Sequence, residues 1–390
     1  METVFGRMGT AYRVMRRTFG LWLLPIFAWF MWVNLRIAVA IARVFDPILF
    51  PRLSRTEGNR PIVLVGNPRT GTTFLQRFLS DQGYGAGNEV FRMLYASLTL
   101  QALVKPFLPI LEAVSPARYH KTAAHETGLD SVETDDVAIL FRYFDGFFLY
   151  GFFLAFAEEE MKDAFDPSFR DVSQRDFDWL EDVWRRSKVA HRADRVVAKL
   201  FSLGPRLPAF LERFPEAHVL YMVRDPLNTI PSGMSLVSGV LDNAFGFWKL
   251  PEEVRQRWLD RLYHGLVDLQ VRFAEHWNEG RVDKDRVFLV HYDRMMKDFD
   301  GMMAEMHAFL GHEATEAQLE AVQARAEKQR AYKSKHKYDL EKFGLSEDAI
   351  RRDCAVFYET FLDEGAPYAA KLPAAREATP QAAPETAPEA

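Results

Sequence analysis

The chain has 390 residues, 48% hydrophobic and 26% charged, with a formal net charge of −5. That length holds one large α/β domain with additions, or two domains, and the composition is ordinary for a globular protein. No bulk basic excess points to nucleic acid as a partner. The single cysteine, Cys354, excludes an intrachain disulfide and favours a reducing compartment or indifference to redox. No CxxC or HExxH pattern offers a metal site.

The amino terminus is apolar. Thr18 to Leu35, TFGLWLLPIFAWFMWVNL, carries no formal charge. As a helix it would extend about 27 Å, against a hydrocarbon core of about 30 Å. Trp22, Trp29 and Trp32 suit a membrane interface. Pro25 interrupts the run, and Arg36 and Arg43 punctuate a second apolar stretch, IAVAIARVFDPILF, that Pro47 ends or bends. Three readings stand: a transmembrane span, a broken helix lying in one leaflet, and a helical hairpin packed on the domain or lining an apolar pocket. A cleaved signal peptide fits poorly, because Arg36 breaks the apolar approach to Ala38-Val39-Ala40. Arginines flank the run on both sides (Arg13, Arg16 and Arg17 against Arg36 and Arg43), so orientation stays open. The expectation is a membrane-associated segment over residues 1–59 on the cytoplasmic side, with a soluble cytoplasmic protein as second choice.

After a polar linker at Arg52 to Arg60, Pro61 to Leu79 reads PIVLVGNPRTGTTFLQRFL. An apolar strand runs into a Gly-containing turn and an amphipathic helix, the layout of a phosphate-binding loop. Gly66 and Gly71 keep the GxxxxG spacing, yet Thr72 stands where a triphosphate-binding loop has Lys. That argues for a nucleotide without a γ-phosphate. Backbone N–H groups, the Thr72 and Thr73 hydroxyls, the positive end of a helix and the Arg69 charge remain to hold an anion.

Further along, Leu98 to Glu112 and Phe141 to Met161 look helical, and the second is a dense aromatic cluster, mostly core, with the remainder available to a hydrophobic acceptor. RVVAKL, Arg195 to Leu200, reads as a strand ending at Lys199, which points at the site or into solvent. A short helix at Pro208–Phe214 precedes the strand HVLYMVR, His218 to Arg224, which leads into Asp225-Pro226 and on to Ser232. An Arg fork binds a phosphate dianion bidentately, and ligands of open α/β sheets sit outside the carboxyl ends of strands. A long amphipathic helix at Glu252–Glu279, a strand at Val287–Tyr292 and a helix at Phe299–Leu310 follow. Alternating strands and helices imply a mostly parallel sheet. Residues 60–372 form the domain, and 373–390, rich in Ala, Pro, Glu and Thr, read as a disordered tail.

The segment Gly66-Asn67-Pro68-Arg69-Thr70-Gly71-Thr72-Thr73-Phe74-Leu75 resembles the phosphosulfate-binding loop of sulfotransferases. The Arg224 to Ser232 segment looks like that family's 3′-phosphate site. The resemblance extends over Val132–Phe144, Val287–Gly311 and Lys335–Arg352, so it covers roughly Arg60 to Phe361. It implies a P-loop-like three-layer α/β fold with a mostly parallel sheet flanked by helices, plus the apolar amino-terminal segment. It implies 3′-phosphoadenosine 5′-phosphosulfate as donor, no metal, and a hydroxyl or amine as acceptor. Arg69, Thr70, Gly71, Thr72 and Thr73 would cradle the 5′ end, and Arg224 and Ser232 the 3′-phosphate. Lys335 and Lys337 would clamp the donor, or form a solvated basic turn. Glu89, after the loop's helix in GYGAGNEVFR, takes the place of the family's carboxylate base, though Asn88 and Val90 depart from its pattern. The other reading of Glu89 is a helix-start acid. Cytosolic-type members use a His, and His120 and His125 are nearby candidates. Asp135 and Asp136 read as solvated helix-start acids. The acceptor is left open. The apolar segment and the Phe cluster suggest a lipid or other hydrophobic alcohol, met at a membrane surface, and the oligomeric state is not legible. A P-loop kinase or hydrolase lacks its GK(S/T), and a non-catalytic protein of this fold would not need these anion-binding residues.

Overall fold

The structure is a computed structural model and describes residues 3–58, 60–114, 128–331 and 340–370. At its centre lies a four-stranded parallel sheet in the order β2–β1–β3–β4, with β1 at Ile62–Val65, β2 at Val197–Lys199, β3 at His218–Val223 and β4 at Val287–His291. All four expected strands are present. They read as continuous apolar runs because helices cover both faces of a parallel sheet. Alternation along each strand sends side chains to opposite faces. Val63 and Val65 with Val219 and Tyr221 pack against Trp184, Phe210 and Phe273. Ile62 and Leu64 with Leu220 and Met222 pack against Phe78, Phe299 and Met302. Leu64 pairs with both Lys199 and Leu220, so the carboxyl ends of β1, β2 and β3 form one rim.

A third core joins the aromatic segment to the long helix Glu252–Asn278, around Phe147, Tyr150, Phe156, Trp258 and Phe247. The segment expected as one helix over Phe141–Met161 is in fact two, Asp136–Tyr143 and Phe147–Phe152, followed by a short turn of tighter helix. The break falls at Phe144 and Gly146, both with positive φ. The Leu98–Glu112 stretch likewise divides at Pro106, into helices Leu98–Val104 and Leu108–Val114.

The amino terminus is a helical hairpin, α1 at Val4–Phe19 and α2 at Leu23–Leu49. Its break is at Gly20, in the left-handed region, not at Pro25. Pro25 lies in the first turn of α2, where a missing N–H leaves no hydrogen bond unmade. One unbroken helix therefore joins the two apolar stretches, and Pro47 lies inside its last turn. Helix α1 is held by Arg7, buried, which pairs with Asp145 at 3.2 Å and donates to the Phe144 and Tyr143 carbonyls. Helix α2 is long and apolar enough to cross a membrane by length and composition. The tail at 373–390 lies outside the described residues.

Candidate active site

The turn after β1 is built for glycine at two points. Gly66 has φ +140°, and a Cβ there would stand 2.9 Å from the Met222 carbonyl oxygen of β3. Gly71 has φ +97°, and its Cβ would stand 2.6 Å from Met295 Cε. Between them Arg69 is also left-handed, at φ +74°. The turn is fastened from inside. Thr70 donates through its hydroxyl to the Asn67 carbonyl at 2.8 Å, and the Asn67 amide donates to the Leu266 carbonyl at 2.8 Å. Helix α3, Thr72–Asp81, starts directly after Gly71 with no side-chain cap and no acid in its first turn. Its N-terminal N–H groups and dipole thus face the centre of the turn, an arrangement that favours an anion.

The second loop closes onto the first. Arg224, just beyond β3, donates to the Arg69 carbonyl at 2.6 Å, and its guanidinium lies 3.8 Å from the Tyr292 ring centre. Arg69 Nε donates to Ser232 Oγ at 3.0 Å. Ser232 sits on the helix Pro226–Phe245. Asp225 does not pair with Arg224. It caps that helix, accepting from the Leu227 N–H at 2.8 Å and from the Tyr358 hydroxyl at 2.5 Å. So Arg69, Arg224 and Ser232, distant in sequence, meet at one point on the rim.

Lys199 points inward. Buried at the end of β2, its ammonium donates to Thr73 Oγ1 at 2.9 Å and lies 3.4 Å from Glu133. Burial pulls this ammonium below the usual lysine range, against the opposing pull of Glu133. Arg77 of α3 pairs with the other Glu133 oxygen at 3.0 Å.

Asp135 and Asp136 are not solvated; both are buried. Asp135 accepts from the Lys199 backbone N–H and from Trp184 Nε1, each at 2.9 Å, and from the Asn88 amide at 2.5 Å. Burial nevertheless pushes its carboxyl up to about 6. Asp136 accepts from Ser202, from Thr134 at 2.5 Å and from the Phe201 N–H at 2.9 Å, and burial raises it too. The two acids bolt the end of β2, and with it Lys199, beside the turn after β1.

Glu89 precedes a short helix, Val90–Leu94, and is tied at 2.6 Å to Arg92 and at 3.1 Å to His191. Burial works to raise its carboxyl, but the His191 hydrogen bond and the Arg92 charge outweigh burial and hold it below the usual range. Asn88, one of the two residues that depart from the family pattern, carries the bond to Asp135 and so links this segment to the end of β2. Lys335, Lys337, His120 and His125 lie outside the described residues. Among the described residues no cluster of three or more His, Cys, Asp or Glu side chains is placed to hold a metal ion.

Sequence reasoning did not find Asn67, Glu133 or Tyr292 as supports of the turn. Glu133 had a signal: an acid beside two more acids, in a chain whose strand ends in Lys. Tyr292 had none, because its ring meets Arg224 only once β4 is paired alongside β3.

The family model described as the sulfotransferase family matches residues 61–316. Among solved structures, the chain is similar to the sulfotransferase STF1 from Mycobacterium tuberculosis, at 17% identity over 90% of this chain and 91% of that one, with a TM-score of 0.64. It is also similar to the sulfotransferase STF9 from Mycobacterium avium, at 18% identity over 82% of this chain and 81% of that one, with a TM-score of 0.57. At these identities the two structures speak to the fold. No curated protein gives a significant match in sequence.

Proposed function

Because the chain belongs to the sulfotransferase family, we propose that it moves a sulfuryl group from 3′-phosphoadenosine 5′-phosphosulfate to a hydroxyl of a lipophilic acceptor. The observation that carries the donor is the convergence of Arg224 and Ser232 on Arg69 of the phosphate turn. A bare phosphate turn suits many nucleotides, whereas a second Arg–Ser pair beside it suits a second phosphate. Thr72, in place of a triphosphate-binding Lys, is consistent with a donor lacking a γ-phosphate.

In this reading the acceptor oxygen attacks sulfur in line. The new S–O bond forms as the bond from sulfur to the bridging oxygen breaks, and adenosine 3′,5′-bisphosphate leaves. Arg69, Thr70, Gly71, Thr72 and Thr73 take up charge on the leaving 5′-phosphate, with Lys199 beside Thr73 as a further cation. The acceptor proton goes to a carboxylate, for which Glu89 is the candidate. Its ties to Arg92 and His191 keep it ionised and hold it in place, at the cost of basicity. The lipophilic acceptor is inferred from the apolar face of α2 and from the half-buried Phe148, Phe152 and Phe153.

Calorimetric titration with adenosine 3′,5′-bisphosphate tests the donor site, with ATP and Mg²⁺ as comparison. Binding to the bisphosphate that Arg224→Ala weakens is the expected result. No binding, or a preference for ATP with Mg²⁺, would overturn the reading.

A further inference from the structure

One face of α2 is anchored and the other is bare. Along the inner face Trp32 donates to the Phe141 carbonyl at 2.9 Å, and Val39 and Ala42 are buried. Arg43 pairs with Asp182 and donates to the Ala96 carbonyl. Near the C-terminus Asp46, fully buried, accepts from Arg186 at 2.8 Å, from Ser97 at 2.8 Å and from the Thr99 N–H at 2.9 Å. Along the outer face Phe27, Phe30, Ile37, Ile41, Val44 and Ile48 are exposed, at the three- and four-residue spacing of one stripe. The 27 residues of α2 make a helix about 40 Å long, and the stripe from Phe27 to Ile48 runs about 32 Å of it. The helices that follow Asp46's partners add Leu103, Phe107 and Ile110, all exposed. A soluble monomer rarely shows an apolar patch of this extent.

We propose that this face docks the protein on one leaflet of an anionic bilayer, with α2 lying in the membrane plane. Charge identifies the occupant. The only acid of α2 is the buried Asp46, while Arg13 and Arg16 before it, Arg52 and Arg55 after it, and Lys105 between Leu103 and Phe107 are exposed. An apolar stripe rimmed by cations, with Trp22 exposed at one end, matches acyl chains beneath anionic headgroups. A second copy docking through the same face would bring the same cations against these cations.

The anchoring excludes the spanning orientation. The domain grips α2 from Trp32 to Asp46, so standing the helix across a bilayer would carry Arg43, Asp182 and Arg186 into hydrocarbon. Laid flat, the outer stripe enters the interface and the gripped face stays packed on the domain, clear of hydrocarbon. The proposal shares the apolar face of α2 with the lipophilic-acceptor reading but stands apart from the donor reading, since it uses none of the rim residues.

The test is sedimentation of the full chain with phosphatidylcholine vesicles, with and without phosphatidylglycerol. Binding is expected to need phosphatidylglycerol and to weaken in high salt. The double variant Phe30→Glu/Ile37→Glu and the separate variant Ile110→Glu, all at exposed positions, are expected to lower partitioning, the double variant by about tenfold or more. Nitroxide labels at residues 27, 37 and 48 supply the second measurement, and equal shallow depths are expected. No vesicle binding, binding indifferent to these variants, or a soluble dimer that loses its partner on Phe30→Glu would overturn the proposal. So would a label at 37 deeper than those at 27 and 48.

Discussion

The rim of the sheet and the outer face of α2 treat water in opposite ways. At the rim, charges are taken out of water and each is answered: Lys199 by Thr73 and Glu133, Asp135 by three donors, Asp136 by Ser202, Thr134 and a backbone N–H. On α2, phenylalanine and isoleucine are left in water with nothing over them. Buried charges cost several kcal/mol each unless paired, so the rim is kept rigid and geometrically defined. An exposed apolar stripe costs the folded monomer little, and its value appears only when another phase covers it. The first pattern is that of a site; the second is that of a surface waiting for a solvent other than water.

The sharpest way to break the contrast is at Asp46, a buried and paired charge on the inner face of α2. Asp46→Ala leaves Arg186 buried without this partner, and thermal unfolding should report a loss of about 3–5 kcal/mol. A negligible change would mean that α2 is not fastened to the domain at this end.

Next in size is the proposed base. Glu89→Gln should lower kcat by about 10²–10³-fold while bisphosphate affinity stays as in the parent. The sign of the pH dependence follows from its depressed carboxyl. The ionised form persists below the ordinary carboxylate range, so the acid limb of the kcat profile should lie below about 4.5. Any stability Glu89 contributes is present above its unfolded value and lost only as pH falls through the lower folded one. An acid limb at 6 or above in the rate profile would instead point to a group such as Asp135, whose carboxyl is pushed up to about 6.

Arg224→Ala comes third. It removes a charge-assisted donor and the ring contact with Tyr292, and calorimetry should show bisphosphate binding weakened about 10–100-fold. A change no larger than that of Lys342→Ala, a cation lying instead against Trp248, would show that Arg224 serves the fold alone.

The smallest effect belongs to α2. Ile41→Ser, at an exposed position, should change stability in water by no more than about 0.5 kcal/mol. A loss of several kcal/mol would show that this face is covered within the protein, and would remove the contrast.

Much of the rim was legible because its residues are contiguous. The turn Gly66 to Thr73 is one continuous string, and a strand, a turn and a helix follow from local rules. Asp135 and Asp136 do open the helix Asp136–Tyr143, but their burial was misread, because helix-start acids look solvated until β2 is laid beside them. Pro25 was misread for a related reason: its effect depends on where the helix begins, and Gly20 had already reset that point.

By itself, then, the sequence determined the four apolar strands, the glycine-bounded turn after the first and the apolar character of the amino terminus, since each rests on near-neighbour periodicity and on residue types with fixed backbone demands. The tertiary structure decided what lay across long separations. It brought Arg224 and Ser232 to Arg69, turned Lys199 inward onto Thr73, and buried Asp135 under Trp184. It also chose which face of α2 the domain would grip. Burial and pairing are properties of the packed chain, and an ionisable side chain or an amphipathic helix acquires its role only when its neighbours replace water.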